Sequence, residues 1–241
     1  MPGLGTIINT AAVILGGVCG ILFGRFLQER HQEGLCKACG VTVLFLGIAG
    51  AMEGMLSLDG GNIVSGRSMF IILSVVIGAV FGELVNLEGR LETFGEWLKV
   101  KSGNAKDVRF VEAFVTATLT ICIGAMAVVG SIQDGISADH SILFAKSVLD
   151  FIIIMVMTSS MGKGCIFSAI PILLFQGGIT LLARLIEPVM TDAALANLSL
   201  VGSILIFCVG VNLVWGKQIR VANLLPAIVV AVVFAFLPLG I

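Results

Sequence analysis

The sequence predicts an all-α protein, a polytopic bundle of transmembrane helices, and three observations predict it. Of its 241 residues, 58% are hydrophobic and only 12% charged, whereas a soluble domain carries about a quarter charged residues. So few charges cannot solvate a globular surface, so most of the surface must face lipid. The apolar residues gather into eight runs, at 5–27, 38–58, 67–87, 109–132, 140–160, 163–186, 196–216 and 221–241. Each is close to the roughly 20 residues a helix needs to cross a hydrocarbon core. The runs are also continuous rather than alternating, which excludes a β-barrel. The whole chain, 1–241, reads as one transmembrane domain.

Taken in order, Met1–Thr6 runs uncharged into the first span. A signal peptide would open on a basic stretch, so this span is expected to remain in the mature protein. Gly16, Gly20 and Gly24 in span 1, Gly50 and Gly54 in span 2, and Gly78 and Gly82 in span 3 form small-xxx-small ladders. Such ladders let helix backbones approach closely, within one chain or between copies in a homo-oligomer. Glu53, Glu83 and Glu112 lie near span ends, where a carboxylate snorkels to the interface. Asp59-Gly60-Gly61-Asn62 and Asp134-Gly135 read as turns in short polar loops. Between spans 3 and 4, Leu87, Leu91, Phe94 and Leu98 recur at helical spacing beside Trp97, with charged residues on the other face. The segment 88–108 therefore reads as an amphipathic helix at the interface, or an extension of span 3.

Lys and Arg set the orientation. Eleven of them, from Arg25 to Arg220, follow spans 1, 3, 5 and 7, against Arg67 and Arg184 on the other side. The odd-numbered spans should end in the cytoplasm, with 88–108 inside and both termini outside. Short motifs also repeat. Gly16-Gly17-Val18-Cys19-Gly20 resembles Gly78-Ala79-Val80-Phe81-Gly82, and span 6 echoes span 1 through Ile7, Leu15 and Arg25 against Ile166, Leu174 and Arg184. Phe45-Leu46-Gly47, Cys122-Ile123-Gly124 and Cys208-Val209-Gly210 form a second type. The order suggests that spans 1–3 recur inverted as spans 6–8, a construction that places transport sites near midplane.

A charge at midplane costs about 2.5–3.5 kcal/mol on insertion scales, so each one has a reason. Asp150 sits near the middle of span 5 with Lys146 one turn earlier, and Ser147 and Thr158 share their arc. The pair reads either as a self-neutralising structural unit or as a position for an ion, proton or solute. Asn9 and Thr10, Gln176, Asn212 and Asn223 are further polar groups inside spans 1, 6, 7 and 8. Thr158 to Gly164, which includes Ser160, groups hydroxyls and glycines around Lys163, as either a helix break facing an ion or a tight turn. It lacks the spacing of a phosphate loop. Cys36-x-x-Cys39 stands alone, without a second ligand pair. The net charge of −1 argues against a nucleic-acid partner. No nucleophile–base set or histidine cluster points to an enzyme, and no cofactor is expected; His31 and His140 fall in loops on opposite sides.

The ordered motifs resemble a bacterial membrane-protein family, domain of unknown function 554. They are Gly5-Thr6-Ile7-Ile8-Asn9 with Gly16-Gly17, Ala145-Lys146-Ser147-x-Leu149-Asp150-Phe151, Ser160-x-Gly162, Ser168, Gln176-Gly177, Gly210-x-Asn212 and Arg220 to Ala227. The resemblance covers essentially the whole chain. It implies a multi-pass protein of the bacterial inner membrane and points to transport without supplying a substrate. The expected function is a transporter of an ion or small polar solute, with Asn9, Lys146, Asp150, Ser160, Gln176, Asn212 and Asn223 as candidate binding residues. A passive channel and a non-transporting membrane scaffold are the alternatives. Expected partners are the lipid bilayer, the ion or solute and further copies of the chain.

Overall fold

The computed structural model describes residues 1–26, 28–123 and 125–237. Leu27, Gly124 of the repeated motif and the end of the last span at 238–241 lie outside them. The helices are α1 (Leu4–Gly24), α2 (Glu29–Met55), α3 (Ser68–Val85), α4 (Leu87–Lys101), α5 (Phe110–Cys122), α6 (Ala125–Ile136) and α7 (Ser141–Met161). A 3-10 segment, Lys163–Ser168, leads into α8 (Ala169–Leu181), followed by α9 (Ala183–Ile186), α10 (Asp192–Trp215), α11 (Val221–Leu224) and α12 (Pro226–Phe234). Helices dominate because lipid offers no partner to a backbone N–H or C=O.

Six of these stretches are long and apolar enough to cross a membrane: α1, α2 from Arg30, α3, α7, Lys163–Leu181 and α10. The other two predicted spans are interrupted. In 109–132, Ile123 takes an extended backbone, and the axes of Phe110–Cys122 and Met126–Ile136 diverge by 63°. In the last span Pro226 opens α12 after α11 ends, because proline brings no N–H to continue the ladder. Span 2 is also displaced from 38–58. Its helix begins at Glu29, taking in His31, and stops at Met55. Leu56–Asp59 and Asn62–Ser65 then form an antiparallel pair, β1 and β2. The Gly60-Gly61 turn between them has both φ values positive, as a two-residue hairpin of this kind requires.

The glycine ladders are used inside the chain, and they fix the helix directions. A Cβ on Gly16 or Gly20 would stand 2.5 Å from the carbonyl oxygen of Phe151 or Met155, and one on Gly24 3.1 Å from that of Ser159. Positions rise together, so α1 and α7 run parallel with their backbones in contact. Along α2 and α10 the order reverses: Gly40 faces Leu213, Gly47 faces Phe207 and Gly54 faces Leu200. Gly78 against Ala227 and Gly82 against Asn223 set α3 antiparallel to α12. Gly17 meets Ile166, while Asn9 further back meets Gln176, so α1 runs against the 3-10 segment and α8. The core between these pairs holds Val13, Phe110, Phe114, Ile154, Met157, Leu200 and Leu205. Leu22, Phe45, Ile72 and Val80 face outward.

These directions gather the C-terminal ends of α1, α3, α7 and α10 at one end of the bundle, where most of the basic residues lie. There α4 is a separate helix, since Asn86 (φ 51°) breaks the chain after α3 and its side chain accepts from Gly89 N. Gly95 and Phe94 of α4 pack on Phe114 of α5, and Trp97, stacked on Phe94, stays exposed.

Candidate functional site

The break in α5 builds the site. Helix ends leave carbonyl groups without intrahelical donors, and Ile121 O lies in the last turn of α5. Lys146 of α7 reaches it with Nζ at 2.8 Å, and the same ammonium lies 2.8 and 2.6 Å from Oδ1 and Oδ2 of Asp150. Asp150 and Lys146 are one turn apart on α7, only 3% and 7% exposed. From α1, Asn9 Nδ2 donates to Asp150 Oδ2 at 3.0 Å and to Gln176 Oε1 of α8 at 3.2 Å. Both amides are fully buried. Asn9 Oδ1 and Gln176 Nε2 are left without hydrogen-bond partners, so one acceptor and one donor remain at the heart of the cluster. An unmet buried polar atom costs about 1–3 kcal/mol, which a bound species or water removes.

A cavity of about 430 Å³ opens at the basic end, and none of the four cluster residues lines it. Glu88 and Glu92 of α4, Glu112 of α5 and Lys217 stand around it, and Val115 and Leu119 of α5 carry it inward. Leu119 is two residues from Ile121, roughly 3 Å of helix rise but on the opposite side of α5. At the opposite end, Thr6 and Thr180 join α1 to α8 through their hydroxyls at 3.3 Å. Thr6 lies within a turn of Asn9, and Thr180 within a turn of Gln176, so this contact covers the cluster from that side.

The sequence profile of a family described as "Protein of unknown function (DUF554)" matches residues 4–236. The chain belongs to the DUF554 family. It is 28% identical over 232 residues to the "Uncharacterized membrane protein YdfK" of Bacillus subtilis (strain 168), covering 96% of this chain and 95% of that protein. It is 29% identical over 232 residues to the "Uncharacterized protein YqgA" of Escherichia coli (strain K12), covering 95% and 94%. No solved structure matches it. With its long apolar helices, this DUF554 chain is a membrane protein.

Of the seven residues singled out in this DUF554 sequence, four meet: Asn9, Lys146, Asp150 and Gln176. The other three lie elsewhere. Ser160 turns its hydroxyl onto Val156 O and Met157 O of its own helix, near the Gly162 turn. Asn212 clamps the turn after α10, donating to Ile219 O and accepting from the Gln218 and Ile219 N–H groups. Asn223 accepts from Glu88 N at 2.8 Å, holding α4 to α11. A further buried carboxylate, Asp134, escapes the sequence reading. It lies within α6, fully buried, and accepts from Gly3 N at 3.0 Å and Thr6 N at 3.3 Å, with His140 Nδ1 at 2.8 Å. It thereby satisfies donors at the start of α1. An acidic residue ending an apolar run six positions before a histidine is the signal that points to it.

Proposed function

We propose that this protein transports an ion or small polar solute across the bacterial inner membrane, with Asn9, Lys146, Asp150 and Gln176 forming the binding position. The observation that carries this reading is a buried ion pair at a helix break, flanked by amide atoms with no partner. A pair serving only to ease insertion needs neither the freed carbonyl of Ile121 nor the orphaned Asn9 Oδ1. Broken helices with carbonyls turned to a midplane site are a recurring device of secondary transporters. The Thr6–Thr180 contact covers the cluster on one side, and the cavity at the basic end stops short of it on the other. A compact polar cluster enclosed by packed side chains, rather than a continuous polar path, favours a carrier over a pore.

Purified protein in proteoliposomes tests this directly. Solute or ion uptake above protein-free vesicles is expected, and Asp150→Asn should reduce it at least tenfold while the variant still inserts and purifies as a folded species. Uptake by Asp150→Asn equal to the parent would remove Asp150 from the transport step.

A further inference from the structure

Resting on the transport reading, we infer that the site takes a small monovalent inorganic cation, and that the Lys146 ammonium is a tethered occupant of the cation's place. Three oxygens, Asp150 Oδ1, Asp150 Oδ2 and Ile121 O, surround Lys146 Nζ at 2.6–2.8 Å. An ammonium has three donors and no acceptor, so the arrangement is an oxygen cage filled by a positive charge. The Ile121 carbonyl belongs to a helix C-terminus, where the summed peptide dipoles place negative partial charge. An alkali-metal ion asks for the same surroundings.

Beside the cage lies an amide with an unused oxygen. Asn9 Oδ1 is buried and accepts nothing, although the nitrogen of the same amide already donates to Asp150. Rotating that amide about its last side-chain bond would turn the oxygen toward Asp150 and offer a cation there a further ligand. Charge selects the class. With Lys146 in place the pair is neutral, and a monovalent cation in its stead keeps the cage neutral. A divalent ion would leave an excess positive charge away from water, and an anion would meet the Asp150 carboxylate. Size acts in the same direction, because all four side chains are under a tenth exposed, which suits a bare ion rather than a metabolite. Charge at the basic-end cavity acts the same way: Glu88, Glu92 and Glu112 outnumber Lys217 around it, so its potential concentrates cations on that side of the bundle. The long, flexible lysine stem lets the ammonium leave the cage while remaining attached to α7.

The test is the thermal stability of the purified protein in LiCl, NaCl, KCl or choline chloride at one ionic strength. At least one alkali cation should stabilise the parent protein over choline in a saturable way, and Asp150→Asn should abolish that difference. Lys146→Met removes the tethered competitor, and the apparent affinity for the same cation should rise at least tenfold. If Lys146→Met does not fold, the comparison of the parent with Asp150→Asn decides alone. Equal melting in all four salts, or an alkali-cation effect that survives Asp150→Asn, overturns the cation assignment. Proteoliposome uptake across anions and neutral solutes then separates the two ideas. Asp150-dependent uptake of another solute would leave transport standing and sink only the cation, whereas no uptake of any solute would sink both.

Discussion

The Lys146–Asp150 pair and Asp134 are both buried, and their different surroundings give them different roles. Asp134 accepts two N–H groups from the start of α1 and holds His140, so its work is structural. Asp134→Ala should lower stability by about 1–3 kcal/mol, the usual cost of orphaning buried donors, with a smaller loss for Asp134→Asn; thermal unfolding in detergent measures both. Removing one member of a buried ion pair costs about 3–5 kcal/mol, because the other charge stays behind. Lys146→Met should therefore be markedly less stable than Lys146→Met with Asp150→Asn, and independent, additive losses in that double-mutant cycle would show that the two charges are not coupled. The pair was legible in the sequence because charges inside an apolar run are rare and because a four-residue spacing puts them on one helix face. Asn9 and Gln176 stood out for the same reason, but nothing in the chain announces that residues 167 positions apart share a hydrogen bond. Asp134-Gly135 reads as a turn because that dipeptide favours turns. It is helical here because Gly135 lets α6 pack closely on Ala183 and the end of α8.

Helix α4 shows how an element is held at the basic end. The pattern of Leu87, Leu91, Phe94 and Leu98 indicates its apolar face, but Glu88 is buried rather than solvated, with Oε2 accepting from Ala222 N. Lys217 lies 2.6 Å from Glu88 and 2.5 Å from Glu92, tying α4 to the end of α10. Burial pulls the Lys217 pKa down, and the hydrogen bonds and charges of Glu88 and Glu92 raise it by more, so it ends above the ordinary lysine value. A raised folded-state pKa means that the lysine's contribution is complete below the ordinary value and is lost only as pH rises through the elevated one. Emission from Trp97 on α4 should thus show no Lys217-dependent change across the neutral range, and a transition only beyond the usual lysine pKa. Lys217→Met should remove that transition and alter Trp97 emission already at neutral pH. The β-hairpin was legible only as its turn, since Leu56 to Leu58 merge with the preceding apolar run. The break at Ile123 was not legible, because Cys122-Ile123-Gly124 is uniformly apolar and hydropathy does not register an extended residue within such a run.

At the scale of the molecule, α1 lies parallel to α7 while α2 opposes α10 and α3 opposes α12. The ladders that suggested close packing are occupied by these internal pairs, so a homo-oligomer, if the chain forms one, uses other faces. We propose that the end where the basic residues gather is cytoplasmic. A cysteine at Ser102 should resist a membrane-impermeant thiol reagent in intact cells while one at Pro2 reacts; the reverse pattern would invert the assignment. The inverted repeat is our further proposal for the architecture, and the contacts between its halves support it. Each member of the first triplet packs antiparallel on its counterpart, α1 on the span containing α8, α2 on α10 and α3 on α12. A two-fold axis in the membrane plane also requires reciprocal contacts. The motif alignment pairs Gly47 with Gly210, and hence Leu44 with Phe207; a Cβ on Gly47 would meet Phe207, and one on Gly210 would meet Leu44. Asn9 and Gln176 then bridge the first helices of the two triplets, where rocking of one repeat against the other would move these candidate ligands most directly. An experimental structure should superpose spans 1–3 on spans 6–8 after a rotation of about 180° about an axis parallel to the membrane. Triplets that superpose only with the same orientation, or not at all, would refute the repeat and leave the site to be explained by the broken helix alone.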